Sequence, residues 1–204
     1  MTGPSLSKRP DPATDQRAMP WYHSADRQRE ETAMIPAMRR SKQQLPAEEC
    51  AAILRDAPCG VLGTAGTDGQ PYAVPLSFAY LPAPAEGAPQ GRIYAHGAAV
   101  GHKLDALAAN PRVCLTVVAQ SEPVPEKLTD RFRSAMAFGS ARIVESEDEQ
   151  LLGLVALGEK YAPDLPATVD EGIASTLHRT AVIAIDVEKI TGKEGLELTR
   201  ERPR

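Results

Sequence analysis

The spacing of apolar residues changes along this chain, and each change marks an element. Over 98–109, Val100, Leu104 and Leu107 stand at i, i+4 and i+7, which gives a helix one apolar face. The preceding RIYA (92–95) is β-prone and meets a break at His96-Gly97. Asn110-Pro111 stops the helix, because proline cannot continue one and disfavours the α conformation at the residue before it. Residues 113–118 then read as a buried strand, short and rich in β-branched side chains. This β–helix–β unit is the centre of the pattern.

Upstream, PAEECAAILRDA (46–57) predicts a helix. Pro46 suits its first position, Glu48 and Glu49 suit its positive end, and Cys50, Ile53, Leu54 and Ala57 form one face. CGVLGTA (59–65) predicts a strand, Thr67-Asp68-Gly69 a hairpin turn, and PYAVPLSFAY (71–80) the return strand. Alternation puts Tyr72, Val74, Leu76 and Phe78 on one face, with Ala73, Pro75, Ser77 and Ala79 on the other. Pro75 cannot donate to a ladder, so it marks an edge or a bulge, where backbone groups stay free for a ligand.

Residues 81–91 and 120–130 read as loops, and 132–145 as a strand broken by Gly139. Ser146 with Glu149 forms a capping box for a helix closed by Pro163 and Pro166. Thr168 with Glu171 repeats that pattern before a short helix carrying Ile173 and Leu177. Residues 181–187 are a last strand, which runs into a polar turn at Thr191-Gly192-Lys193 and a frayed tail at 196–204. About five strands and four helices result. The fold class expected is mainly β with flanking helices, arranged as a small closed or split β-barrel.

Residues 1–37 differ from the rest. They carry Pro4, Pro10, Pro12, Pro20 and Pro36 with few aliphatics, so they are expected to form an extended or disordered arm, anchored at most by Trp21 and Tyr22. Residues 38–195 are the expected domain. Only 4% of residues are aromatic, so Ala, Val, Leu and Ile must fill the core. The net charge of −4 offers no nucleic-acid footprint, and no nucleic-acid partner is expected. Three cysteines, Cys50, Cys59 and Cys114, show no CxxC spacing and read as buried free thiols. No apolar run is long enough for a membrane helix, and the N-terminus lacks a signal-peptide core, so a cytoplasmic location without membrane contact is expected.

Dinucleotide-binding, Walker A, GxSxG and zinc-ligand patterns are absent, and no metal site is expected. What remains suits a flat, phosphorylated cofactor. His96, Gly97, Gly101, His102 and Lys103 gather at a helix entrance, where free N–H groups, the positive dipole end and an ammonium favour an anion. Val74, Pro75, Leu76 and Ser77 offer an edge strand and a hydroxyl, and Lys193 a second cation.

AVPLSFAY, IYAHGAAVGHKLDALAANPRVCLTV, RSAMAFGSARIVE and IDVEKITGKEG together resemble the flavin-binding split barrels related to pyridoxamine 5′-phosphate oxidase. The branch that includes nitroimidazole-resistance proteins is the nearest in pattern. The resemblance covers about residues 38–195. It implies a homodimer binding FMN between subunits and reducing a small aromatic or nitro-bearing molecule with reduced nicotinamide. It also leaves room for a deazaflavin, or for a non-catalytic flavin- or haem-binding protein with His96 or His102 on the iron. In the FMN case the resemblance implies that Val74 to Ser77 run along the flavin. Lys103, with the backbone of Gly97 and Ala98, meets the phosphate. His96 stands beside the ring as the catalytic histidine, and Ser134 and Lys193 approach from neighbouring strands or the partner subunit. Pyridoxamine phosphate oxidases proper carry an Arg-rich substrate segment at the C-terminus, and TGKEGLELTRERPR shows no equivalent.

Overall fold

The computed structural model describes residue 35 and residues 38–66, 68–82 and 87–202. The expected arm at 1–37 therefore lies almost wholly outside the described residues. Ile35 is an exception, its carbonyl accepting a hydrogen bond from Lys189 Nζ at 3.3 Å.

Among the described residues, seven strands form one antiparallel sheet: β1 (Gly60–Ala65), β2 (Pro71–Leu76), β3 (Phe78–Leu81), β4 (Arg92–Ala98), β5 (Arg112–Val124), β6 (Thr129–Ile143) and β7 (Thr180–Glu194). Their order is β2-β1-β5-β6-β7-β4-β3. Ser77 alone separates β2 from β3, yet these strands sit at opposite ends of that order. The run 71–81 thus pairs with β1 through its first half and with β4 through its second, and the sheet closes on itself. The single strand expected over 71–80 is two, and the barrel is split where they part.

Among the described residues, five α-helices flank it: α1 (Ala47–Asp56), α2 (His102–Ala109), α3 (Glu147–Tyr161), α4 (Pro166–Thr176) and α5 (Leu196–Glu201). Leu62, Leu115, Val117, Ala135, Ala137, Ile93, Ile183, Ile185 and Phe78 point inward, plugged by Leu54 of α1 and by Leu104 and Leu107 of α2. A second core lies outside the barrel wall, where Ala79, Tyr94, Val182 and Ala184 meet Leu154, Ala156 and Leu157 of α3. Strand β7 is covered on both faces there, which is why 181–187 is continuously apolar rather than alternating.

Several local expectations give way to tertiary context. Residues 120–124 and 129–130 are not loop: β5 and β6 stay paired out to Val124 opposite Thr129, past a bulge between Val118 and Gln120. Gly139 does not break β6 but sits at a bulge against β7, where a Cβ would meet the Asp186 carbonyl oxygen. Thr191-Gly192-Lys193 is strand rather than turn, paired with Met136, Ala135 and Ser134. The 196–204 tail is not frayed through 202. Leu198 is buried, and Arg202 grips Glu49 at 2.6 Å and the buried Glu194 at 2.6 Å. Cys59 is exposed rather than buried. Thr168 lies inside α4, which Pro166 opens.

Ser146 does stand at the start of α3, but its side chain makes no capping bond. Glu149 is drawn away by stronger partners. Arg142 donates to it at 2.5 and 2.9 Å, Arg92 at 3.2 Å and the Tyr94 hydroxyl at 3.0 Å. Charge-assisted bonds of this kind outweigh a neutral cap. They tie α3 to β4 and β6.

The hydrogen bonds from Arg142 hold the Glu149 carboxyl below its ordinary value of 4.5, with burial opposing and Tyr94 and Arg92 assisting. A depressed folded value means that the stabilisation is fully present above about 4.5 and is lost as pH falls through the lower folded value. Between about pH 6 and about pH 3 the urea midpoint of the native chain should therefore fall further than that of Arg142→Gln. Parallel slopes for the two proteins would remove Glu149 from the acid transition.

Candidate functional site

Strand β2 is an edge, as Pro75 predicts. Pro75 opposes Val61, and among the described residues the other side of β2 carries no strand. Val74 and Leu76 pack against the barrel core, so they offer an incoming group mainly their backbone. Pro75 and Ser77 are exposed and present their side chains outward.

Across the split from β2 stands the end of β4. Phe78 opposes Ala95 in the last pair of the β3–β4 ladder. Ser77 and His96 stand one residue beyond it, at the apex where the two strands part. His96, Gly97 and Ala98 are strand rather than break, paired with Val182, Ala181 and Thr180 of β7. The predicted helix over 98–109 starts later, at His102. The chain turns at Gly101, whose φ of +143° lies outside the range side chains favour. Within α2 the first N–H used is that of Leu104, which reaches the Gly101 carbonyl at 2.9 Å. The N–H groups of His102 and Lys103 precede it and face the helix entrance.

Helix α2 sits in the mouth of the split and touches both sides. The His102 ring meets Tyr72 of β2 edge-on, with centroids 4.7 Å apart. Lys103 folds back onto β4, so that a Cβ at position 97 would stand only 2.7 Å from its Nζ. Glycine at 97 is thus what lets the ammonium lie against the strand. Among the described residues no carboxylate stands within 4 Å of it. His96 is exposed at the surface, yet partial desolvation by the groups packed around its ring, and then the Lys103 charge, push its pKa below the ordinary value, which favours the neutral imidazole near pH 7.

Val74 to Ser77, His96, Gly97, Ala98, Gly101, His102 and Lys103 thus surround one split. From Tyr72 to Ser77 its β2 side runs about 16 Å at roughly 3.3 Å per residue. Ser134 and Lys193 are not part of it within one chain. They oppose each other on β6 and β7, with Val118 of β5 beyond Ser134. Strand β6 is three spacings from β2, about 14 Å along the sheet. Tyr72 was legible only as a strand residue sharing a face with Val74 and Leu76, and its contact with His102 across thirty positions had no sequence signal.

The family model described as pyridoxamine 5′-phosphate oxidase matches residues 46–194. The chain belongs to that family. The match spans all seven strands and excludes the first 45 residues and the last helix. No curated protein matches the chain. Among solved structures, a proposed 5-nitroimidazole antibiotic resistance protein from Bacteroides thetaiotaomicron aligns with a TM-score of 0.58 at 23% identity, over 74% of this chain and 86% of that one. An FAD-binding protein from Mesorhizobium loti aligns with a TM-score of 0.52 at 23% identity, over 75% and 97%. An FAD and haem binding protein from Mycobacterium smegmatis aligns with a TM-score of 0.61 at 22% identity, over 76% and 74%. At these identities the likeness is one of fold, and it bears out the split barrel. As a member of the pyridoxamine 5′-phosphate oxidase family, the chain is notable for where its C-terminal arginines go. Arg202 is held by Glu49 and Glu194, and Arg200 lies 3.5 Å from Glu197. No helix among the described residues is long and apolar enough to cross a membrane.

The electrostatic link between Lys103 and His96 can be measured without any ligand. Lys103→Gln should raise the His96 pKa in an NMR titration, because it removes a repelling cation and leaves burial nearly unchanged. An unmoved titration curve would show that the two groups do not sense each other.

Proposed function

We propose that this family member is an FMN-dependent oxidoreductase whose cofactor lies in the split between β2 and β4. The observation that carries the reading is Lys103. Its ammonium rests on the open face of Gly97, next to the entrance of α2, with no carboxylate among the described residues within 4 Å. A phosphate there meets a full positive charge, the His102 and Lys103 N–H groups and the helix dipole together. The free edge of β2 then runs away from the phosphate toward Ser77 and His96, which suits a ribityl chain followed by a flat ring. His96, kept neutral, is placed at the ring end to hydrogen-bond or exchange a proton with a substrate. When bound, the flavin supplies the redox chemistry, accepting hydride from a reduced nicotinamide and reducing a small aromatic or nitro-bearing molecule. Engagement of Arg200 and Arg202 in ion pairs leaves the C-terminus without free arginines for a vitamin B6 phosphate among the described residues.

The same reading includes a homodimer. The outward face of β1, β5 and β6 carries Val61, 42% exposed, and Val118, 65% exposed, beside half-buried Met136 and Phe138. Alternation along the strands puts Ser134 and Lys193 on this face too. A second copy docked there covers the apolar surface and brings its Ser134 and Lys193 toward the split.

Two measurements test these statements. Titrated in parallel with FMN and riboflavin, Lys103→Ala should lose roughly ten- to a hundredfold in FMN affinity, as for a charge-assisted bond of about 1.5–3 kcal/mol, and less for riboflavin. Equal losses, or a Soret band in place of flavin bands on the purified protein, would overturn the FMN assignment. Light scattering at micromolar concentration should give twice the chain mass, and Val118→Arg should halve it. A native monomer that still binds flavin would refute the shared site.

A further inference from the structure

The apex of the split, where β2 ends and β3 begins, is held from outside the barrel. The hydroxyl of Tyr161, at the end of α3, accepts a hydrogen bond from the Phe78 N–H at 3.0 Å. The same oxygen lies 2.8 Å from the Pro58 carbonyl and 3.1 Å from the Phe78 carbonyl. It has one proton to give, and the shorter contact is to Pro58. The neighbouring Lys160 places its Nζ 4.1 Å from the centre of the Phe78 ring, whose residue is fully buried. One helix end therefore fixes Phe78 through both its backbone and its ring. Ser77, the next residue back, is exposed and belongs to neither strand. Tyr161 is 42% exposed, so its hydroxyl contributes more to this junction than the burial of its ring.

We propose that Tyr161 is a positioning residue for the cofactor site. Its hydroxyl sets the direction in which the chain leaves Phe78, and so the place of Ser77 and of the β2 edge beside it. It acts through the backbone, from a helix 83 residues away in sequence, and makes no contact with a ligand itself. Without the hydroxyl the Phe78 N–H loses its partner at the point where the sheet changes edge, and the break is free to relax. The proposal rests on the split being the flavin site, and the test separates the two.

The variant is Tyr161→Phe in the full chain, which keeps the ring. With no flavin present, amide hydrogen exchange at Phe78 should accelerate about tenfold or more, while Ile183 and Ile185 of β7 keep their protection. With FMN present, affinity should fall by about tenfold and the visible bands of the bound flavin should shift. Leu157→Ala is the control, because Leu157 is buried in the same helix and makes none of the hydrogen bonds or the ring contact that hold the junction. It should lower the melting temperature more than Tyr161→Phe does, yet leave FMN affinity and spectrum unchanged below that temperature. Unchanged exchange at Phe78 in Tyr161→Phe would overturn the proposal. So would equal loss of FMN by Leu157→Ala, which would make the effect one of general stability. If the native chain binds no flavin, the reading of the split fails, and the exchange of Phe78 still decides whether Tyr161 holds the break.

Discussion

Closure of the sheet through one short run of chain is the constraint on which this structure depends. Residues 71–81 must satisfy ladder hydrogen bonds with β1 on one side and β4 on the other, and no strand can do both along its whole length. The run changes partner at Ser77, and among the described residues the change leaves one flank of β2 unpaired. An unpaired edge invites association and is normally shielded. Here α2 fills the gap only in part, touching β2 through His102 and β4 through Lys103. The free edge, the two histidines and the lysine are thus consequences of a single topological event.

The distribution of charge supports the same division. Arg92, Arg142 and Arg202 each meet two carboxylates, and these clusters tie α3, the sheet and the C-terminal helix together. Arg112 is likewise bonded to Glu188. They are partly sheltered networks, in which each charge has a counter-charge and little is left for a ligand. Lys103 is placed differently, with a glycine and a histidine for neighbours. Among the described residues it stands beside a helix start and has no carboxylate within 4 Å, unlike the arginines of those networks.

Strand and helix periodicity were legible wherever one face of an element is buried and the other is not. Residues 47–56 and the inward positions of β1 and β2 follow the expected pattern. The pattern failed where side chains are exposed on both faces while the backbone stays paired, as in 120–124, and at Thr191-Gly192-Lys193, where the buried position of the strand is a glycine. It failed also at Ser146, because a local capping signal competes with partners that arrive from elsewhere in the fold. The C-terminal tail looked frayed because the buried Glu194 that holds Arg202 is a single acid in a polar stretch.

The sequence by itself determined the mainly β class, the edge at Pro75, the glycine and lysine of the α2 entrance and the resemblance that names the family. Each of these rests on residues close together in the chain, whose spacing carries the physics. The tertiary structure alone decided that Lys103 lies on Gly97, that Ser77 and His96 both stand one residue past the last β3–β4 pair, and that Ser134 and Lys193 stand apart from both. It alone brought Tyr161 to Phe78 across 83 residues. Such contacts depend on which edges a closing sheet joins, and period and propensity contain no term for that.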